Sequence, residues 1–233
     1  MASAAFAHEP CASPSPGHRE AFAALKSSLS AEALAAPRQL PPDAVIPTAI
    51  PALDRALGGG LPRGALVAFE GNAGRWSIVA RVVAAVTRRA LVAIVDDGAL
   101  YPPGLARAGA RLDRVLIAPA TTPLGVARTV DILLRTRACR VVLLLCAPEL
   151  RAAVWMRLAR LAQRAGVLLV AIASRVDAAL ATATALRIEC TIARLCVDGS
   201  RGLWCTLSGY DVHVRVHKQR GGFVAEPLRV AVR

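Results

Sequence analysis

The residues best equipped for chemistry are Gly71, Asn72, Gly74, Arg75 and Ser77, in the segment EGNAGRWS that runs from Glu70 to Ser77. Glycines followed by a basic and a hydroxyl residue, just ahead of the helical run IVARVVAAV, are the ingredients of a phosphate-binding turn. Their spacing falls short of one. A working phosphate loop has four residues between its glycines and then Lys with Ser or Thr. Here two residues separate Gly71 from Gly74, no lysine follows, and Trp76 stands where a compact cation is needed. Arg75 could still meet an anion at the helix N-terminus, and Ser77 could ligate a metal, because unpaired N–H groups there favour negative charge. The turn is expected to be structural rather than hydrolytic.

Other reactive side chains are scattered. The six cysteines, Cys11, Cys139, Cys146, Cys190, Cys196 and Cys205, include no CxxC pair and no histidine at a zinc-like offset, so reduced and mostly buried thiols are expected. His213 and His217 lie four apart in a strand pattern and share a face, but a metal site needs more ligands than two. Arg157, Arg160 and Arg164 share one face of a helical stretch, and Arg81, Arg88 and Arg89 crowd the end of another. Such rows either neutralise phosphates or form the wet faces of covering helices. Trp155, flanked by Val154, Met156 and Leu158, reads as a core residue.

Positioning these residues falls to alternating apolar runs and helical stretches. The runs 65–70, 91–95, 114–118, 141–145 and 167–173 are short and continuously apolar, as in a parallel sheet covered on both faces. Helical patterns separate them around 75–89, 103–110, 124–137 and 149–165. After Ala185, strand-like stretches at 186–197, 203–207, 212–218 and 223–232, divided by glycines, predict antiparallel strands extending one edge. Residues 1–17 read as a mobile tail. Residues 18–45 read as a short amphipathic helix, with Phe22, Leu25 and Leu29 at helical spacing, followed by a Pro-rich linker; the helix either caps its own domain or docks on another protein.

Composition bounds the answer. A 55% hydrophobic, 19% charged chain of this length makes one folded α/β domain, and its longest uncharged apolar run, Ala165 to Ala173, is too short to cross a bilayer. No membrane association and no secretory signal are expected, which places the chain in the cytoplasm. Lys plus Arg total 29 against 16 Asp plus Glu, a net charge of +13 that favours polyanions. Aromatic residues are 4%, too few for a base-stacking platform, so sequence-specific recognition of nucleic acid is not supported.

Upstream of the turn, residues 46–64 read IPTAIPALDRALGGGLPRG. With Thr48, Leu53, Asp54, Leu57, Gly58 to Gly60, Leu61, Pro62 and Gly64, this string resembles the RecA recombinase family where it leads into the phosphate loop. The resemblance continues through VAIVDDGALYPPGLARAGARLDRVLIA and ends with GYDVHVRVHKQRGGFVAEPLRVAVR, covering 46–233. It implies a RecA-like P-loop NTPase core: a mainly parallel central sheet flanked by helices, with antiparallel strands at the C-terminal edge. Asp96 and Asp97 resemble the family's Asp-x-Glu, with Asp97 at or beside the water-activating position. The magnesium-linked aspartate falls on Leu145 or Cys146, and the Asn-Gln pair that senses the terminal phosphate falls on Ala173 and Ser174. Lys218 and Arg220 match the pair of basic residues that reach a neighbouring subunit's nucleotide.

With three parts of a phosphoryl-transfer site missing, binding of ATP and magnesium is doubtful and hydrolysis is expected to be absent or very weak. Asp96 and Asp97 are vestigial on this reading. The short form with a worn phosphate loop is similar to the ImuA family of translesion-synthesis accessory proteins. That similarity implies RecA, an ImuB-like polymerase homologue and an error-prone polymerase as partners, with DNA bound non-specifically if at all. An active DNA-dependent ATPase of the recombinase class and a general basic DNA-binding protein are the alternatives. No long homofilament is expected.

Overall fold

The computed structural model describes residues 41–198, 206–219 and 227–232. The expected tail and amphipathic helix, together with Cys11, Cys205 and Arg220, lie outside the described residues.

After a single 3-10 turn, Pro42–Ala44, comes strand β1, Val45–Ile46, which pairs antiparallel with β2, Leu61–Pro62. Between them, helix α1 (Pro51–Ala56) starts on a proline suited to a first helical turn. Thr48, fully buried, donates both its N–H and its hydroxyl to Asp54 Oδ1 at 2.8 Å, and its Oγ1 accepts the Ile50 N–H at 3.2 Å. Thr48 and Asp54 thus lock the connection from β1 onto α1, and Leu53, Leu57 and Leu61 fill the core beneath. The specific string at 46–64 does structural work here.

The main sheet has eight strands in the order β10-β9-β8-β3-β7-β6-β4-β5. Strands β3 (Leu66–Glu70), β4 (Leu91–Asp96), β5 (Val115–Pro119), β6 (Cys139–Leu144), β7 (Leu168–Ile172) and β8 (Leu186–Asp198) run parallel. β9 (Thr206–Gln219) is antiparallel to β8, and β10 (Leu228–Val232) is antiparallel to β9. The boundary therefore differs from the sequence expectation, since β8 joins the parallel set beside β3. The described end of the expected 203–207 strand, Thr206 and Leu207, belongs to the same strand as 212–218. The chain from Thr206 to Gln219 is one long strand, because Ser208 and Gly209 are absorbed at a bulge opposite Cys196 and Val197 instead of forming a turn.

Helices cover both faces, as continuously apolar strands require. α1, α2 (Arg75–Thr87) and α3 (Pro102–Arg107) pack on one face against Val67, Phe69, Ile94 and Val170. α4 (Pro123–Thr136), α5 (Ala152–Ala165) and α6 (Ala178–Ala183) pack on the other against Ala68, Val95, Leu144 and Leu169. Trp155 is fully buried in that second layer, and its indole N–H has no partner among the described residues. No strand pairs with the outer edge of β5 among the described residues, and Leu116 and Ile117 there are about half exposed. No described helix is long and apolar enough to cross a membrane.

Candidate functional site: a closed turn after the first core strand

In a sheet of this kind the ligand crevice lies beyond the carboxyl ends of the strands, where successive strands diverge to opposite sides. β3 sits between β7 and β8, and the chain leaves it for β4, past the two intervening strands β7 and β6. The turn from Glu70 to Gly74 occupies that crevice.

β3 is apolar until Glu70, whose side chain is only 6% exposed. A buried carboxylate needs partners, and Glu70 has two. Its Oε2 accepts the Val176 N–H at 2.9 Å, and its Oε1 pairs with Arg187 of β8. Glu70 thereby ties together three elements: the end of β3, the loop after β7 and the start of β8.

Gly71 follows at φ +117°, packed so closely under β8 that any Cβ would overlap the Cys190 carbonyl. Its N–H donates to the Ser174 carbonyl at 3.2 Å, and its own carbonyl accepts from Arg75 Nη1. Gly74, the N-cap of α2 at φ +83°, approaches β9 so that a Cβ would lie 2.7 Å from a Val212 methyl. Ser77 on α2 shares a hydrogen bond with the Tyr210 hydroxyl of β9. Asn72 is exposed at the apex. The polar groups of Gly71, Arg75 and Ser77 are directed to one another, to Ser174 after β7 and to Tyr210 of β9, while Asn72 alone of the five is exposed.

This donor set does not fit a magnesium nucleotide. The Gly71 N–H is already bonded, the Arg75 guanidinium folds back across its own turn, and the Ser77 hydroxyl is held by Tyr210. At the end of β6, Leu145 is half-buried and Cys146 exposed, and neither offers a hard oxygen ligand. The N-terminus of α2 has no side-chain cap, so attraction of an anion to its free N–H groups is the chemistry that remains.

The two aspartates have separate roles. Asp96 Oδ1 accepts the Ala99 and Leu100 N–H groups at 3.1 and 3.0 Å, capping the turn after β4, while Asp97 is exposed beside it. Ala173 and Ser174 follow β7 directly, and the Ser174 carbonyl is the one that receives Gly71. Lys218 pairs in register with Arg187 near the end of β9.

Of the arginine rows, Arg157, Arg160 and Arg164 are all exposed on α5. Arg157 is held at 3.0 Å by Asp131 of α4, which also pairs with Arg135 at 2.6 Å. The Arg135 guanidinium, seconded by Arg157, holds the Asp131 carboxyl below its usual range. Arg81 donates to the Ala231 carbonyl at 3.3 Å, fastening α2 to β10, and Arg88 and Arg89 are exposed. His217 contacts Glu189 at 2.7 Å, and no group of three or more metal-ligating side chains occurs among the described residues.

Thiols follow their surroundings. Cys139 and Cys190 are buried, and burial pushes the Cys190 thiol up to about 12 even with Arg75 nearby. Cys146 is exposed, against the expectation that the cysteines are mostly buried, because the β6 strand ends before it.

Sequence reasoning passed over Glu70, Arg187 and Tyr210. The signal for Glu70 was available: a carboxylate closing an apolar strand must find a partner. Arg187 and Tyr210 lie 117 and 133 residues away from the residues they hold, and nothing local marks those pairings.

No family model and no curated protein sequence matches this chain. Among solved structures it is similar to the crystal structure of the RadB recombinase, at 15% identity with a TM-score of 0.61, covering 81% of this chain and 96% of that one. The fold is thus the RecA-like one.

Proposed function

We propose that this protein is a non-hydrolytic RecA-like accessory factor of the DNA-damage response, supporting translesion synthesis and induced mutagenesis in the manner of the ImuA family. The observation that carries this reading is the closed turn, in which Gly71, Arg75 and Ser77 are occupied by Ser174, each other and Tyr210. Phosphoryl transfer depends almost wholly on positioned charge, and here the Arg75 guanidinium and the Ser77 hydroxyl are turned to partners within the protein. A RecA-like frame without that machinery is suited to contact with other RecA-like subunits or their polymerases. RecA itself and an ImuB-like polymerase homologue are the proposed partners, reached through the open β5 edge and the basic surface, in the cytoplasm at the nucleoid.

The test is ATP turnover by the purified chain with magnesium and single-stranded DNA, together with binding of a fluorescent ATP analogue. No turnover above a no-protein control is expected. DNA-stimulated turnover would place the protein with the active recombinase-class ATPases and overturn the reading.

A further inference from the structure

A second concavity lies at the opposite end of β3 from the closed turn, bordered by β2, α5 and the start of β8. It has a volume of about 350 Å³, within the range of ligand-binding clefts. Leu57, Met156 and Leu186 supply apolar lining, and Arg63, Arg160 and Gln163 supply the polar part. No acidic residue lines it.

The two guanidiniums there are differently held. Arg63 donates its Nε to the Gly166 carbonyl at 2.7 Å, capping the C-terminal end of α5. That bond fixes its plane and leaves the Nη donors over. Arg160 has no hydrogen bond or ion pair among the described residues, whereas Arg157, on the same helix, shares the Asp131 carboxylate with Arg135. Two guanidiniums with no carboxylate partner among the described residues thus border a surface that is also concave and partly apolar. Arg164, one turn further along α5, carries the charge beyond the cavity.

We propose that this cavity binds an acidic, apolar peptide segment of a partner protein. An aliphatic side chain packs over Pro62, Met156 and Ala159, above the buried Leu57 and Leu186, and flanking carboxylates meet Arg63 and Arg160, whose planar forks suit carboxylate oxygens. Gln163 can pair with the peptide backbone. Arg164 outside the cavity favours an extended chain over a compact anion. The lining has no aromatic ring on which a base could stack, which favours peptide over single-stranded nucleic acid. This inference goes beyond the proposed function and does not depend on the closed turn.

The experiment is an amide NMR titration of the full chain with a Glu-Leu-Asp-Leu-Glu peptide at millimolar concentration. The same peptide with alanine for leucine, its lysine-substituted counterpart and an oligothymidine serve as comparisons. Saturable shifts confined to the segments around Arg63, Met156 to Gln163 and Leu186 are expected with the first peptide alone. Arg160→Glu and Met156→Lys, both at solvent-accessible positions, should each weaken binding about tenfold while leaving the spectrum of the free protein folded. Absence of shifts at the cavity, equal response to the alanine peptide, or displacement of the peptide by oligothymidine would each overturn the proposal.

Discussion

At the scale of single residues, Glu70 and Gly71 carry the closed turn. Glu70→Ala strands the Arg187 guanidinium and the Val176 N–H together, so a loss of about 2–3 kcal/mol in urea unfolding is expected, lower than for a fully buried pair because Arg187 is partly exposed. Gly71→Ala should be still more damaging, since a Cβ there meets a backbone carbonyl that cannot swing aside. Gly98→Ala is the matched comparison: its φ is also positive, at +102°, but nothing lies within 4 Å of the added carbon. A melting temperature lowered much further by the first change than by the second separates crowding from backbone preference. Equal losses would mean that the approach of β8 to the turn is unimportant. The thiols give a further check. Alkylation of the native protein near pH 8, read by peptide mass mapping, should modify Cys146 and spare Cys139 and Cys190 until the chain is unfolded. The glycines, arginine and serine of the turn were legible in the sequence, and so was their poor spacing. Their internal bonding was not, because it depends on Tyr210 and Ser174, which arrive from β9 and from the end of β7.

At the scale of elements, the pairing of α4 with α5 rests partly on charge. Asp131 has a depressed carboxyl, so its contribution is fully present above the ordinary aspartate value near pH 4 and fades as pH falls through the lower folded value. Asp131→Asn should therefore cost about 0.5–1 kcal/mol at pH 7 and almost nothing in strong acid, a modest figure because both arginine partners are solvent-exposed. A cost that persists unchanged at low pH would assign the effect to packing instead. The open edge of β5 is the second element with a consequence. Leu116 and Ile117 are half exposed on an edge strand that pairs with β4 on one side only among the described residues, the arrangement that invites edge-to-edge association. Ile117→Lys should leave the melting temperature nearly unchanged and shift light scattering toward monomer. The apolar runs made β3 to β7 readable to within a residue or two, since parallel strands buried on both faces have a sequence signature of their own, although β5 carries the same signature at a half-exposed edge. The long β9 was not readable, because glycine inside a strand at a bulge looks the same in sequence as glycine in a turn. The parallel pairing of β8 with β3 likewise leaves no local trace.

At the scale of the whole molecule, the eight-stranded order and the two helical layers make a RecA-like frame, while the crevice at the end of β3 is filled by the protein's own groups. That combination is what directs the proposed function away from catalysis and toward contact. The net charge of +13 adds a long-range attraction to acidic partners that salt should weaken. The most direct measurement is the ATPase of RecA on single-stranded DNA, with and without this protein, run beside the protein's own turnover under the same conditions. The expected result is a dose-dependent change in RecA activity with no turnover by the protein alone. Unchanged RecA activity, together with DNA-stimulated hydrolysis by the protein itself, would contradict the central claim.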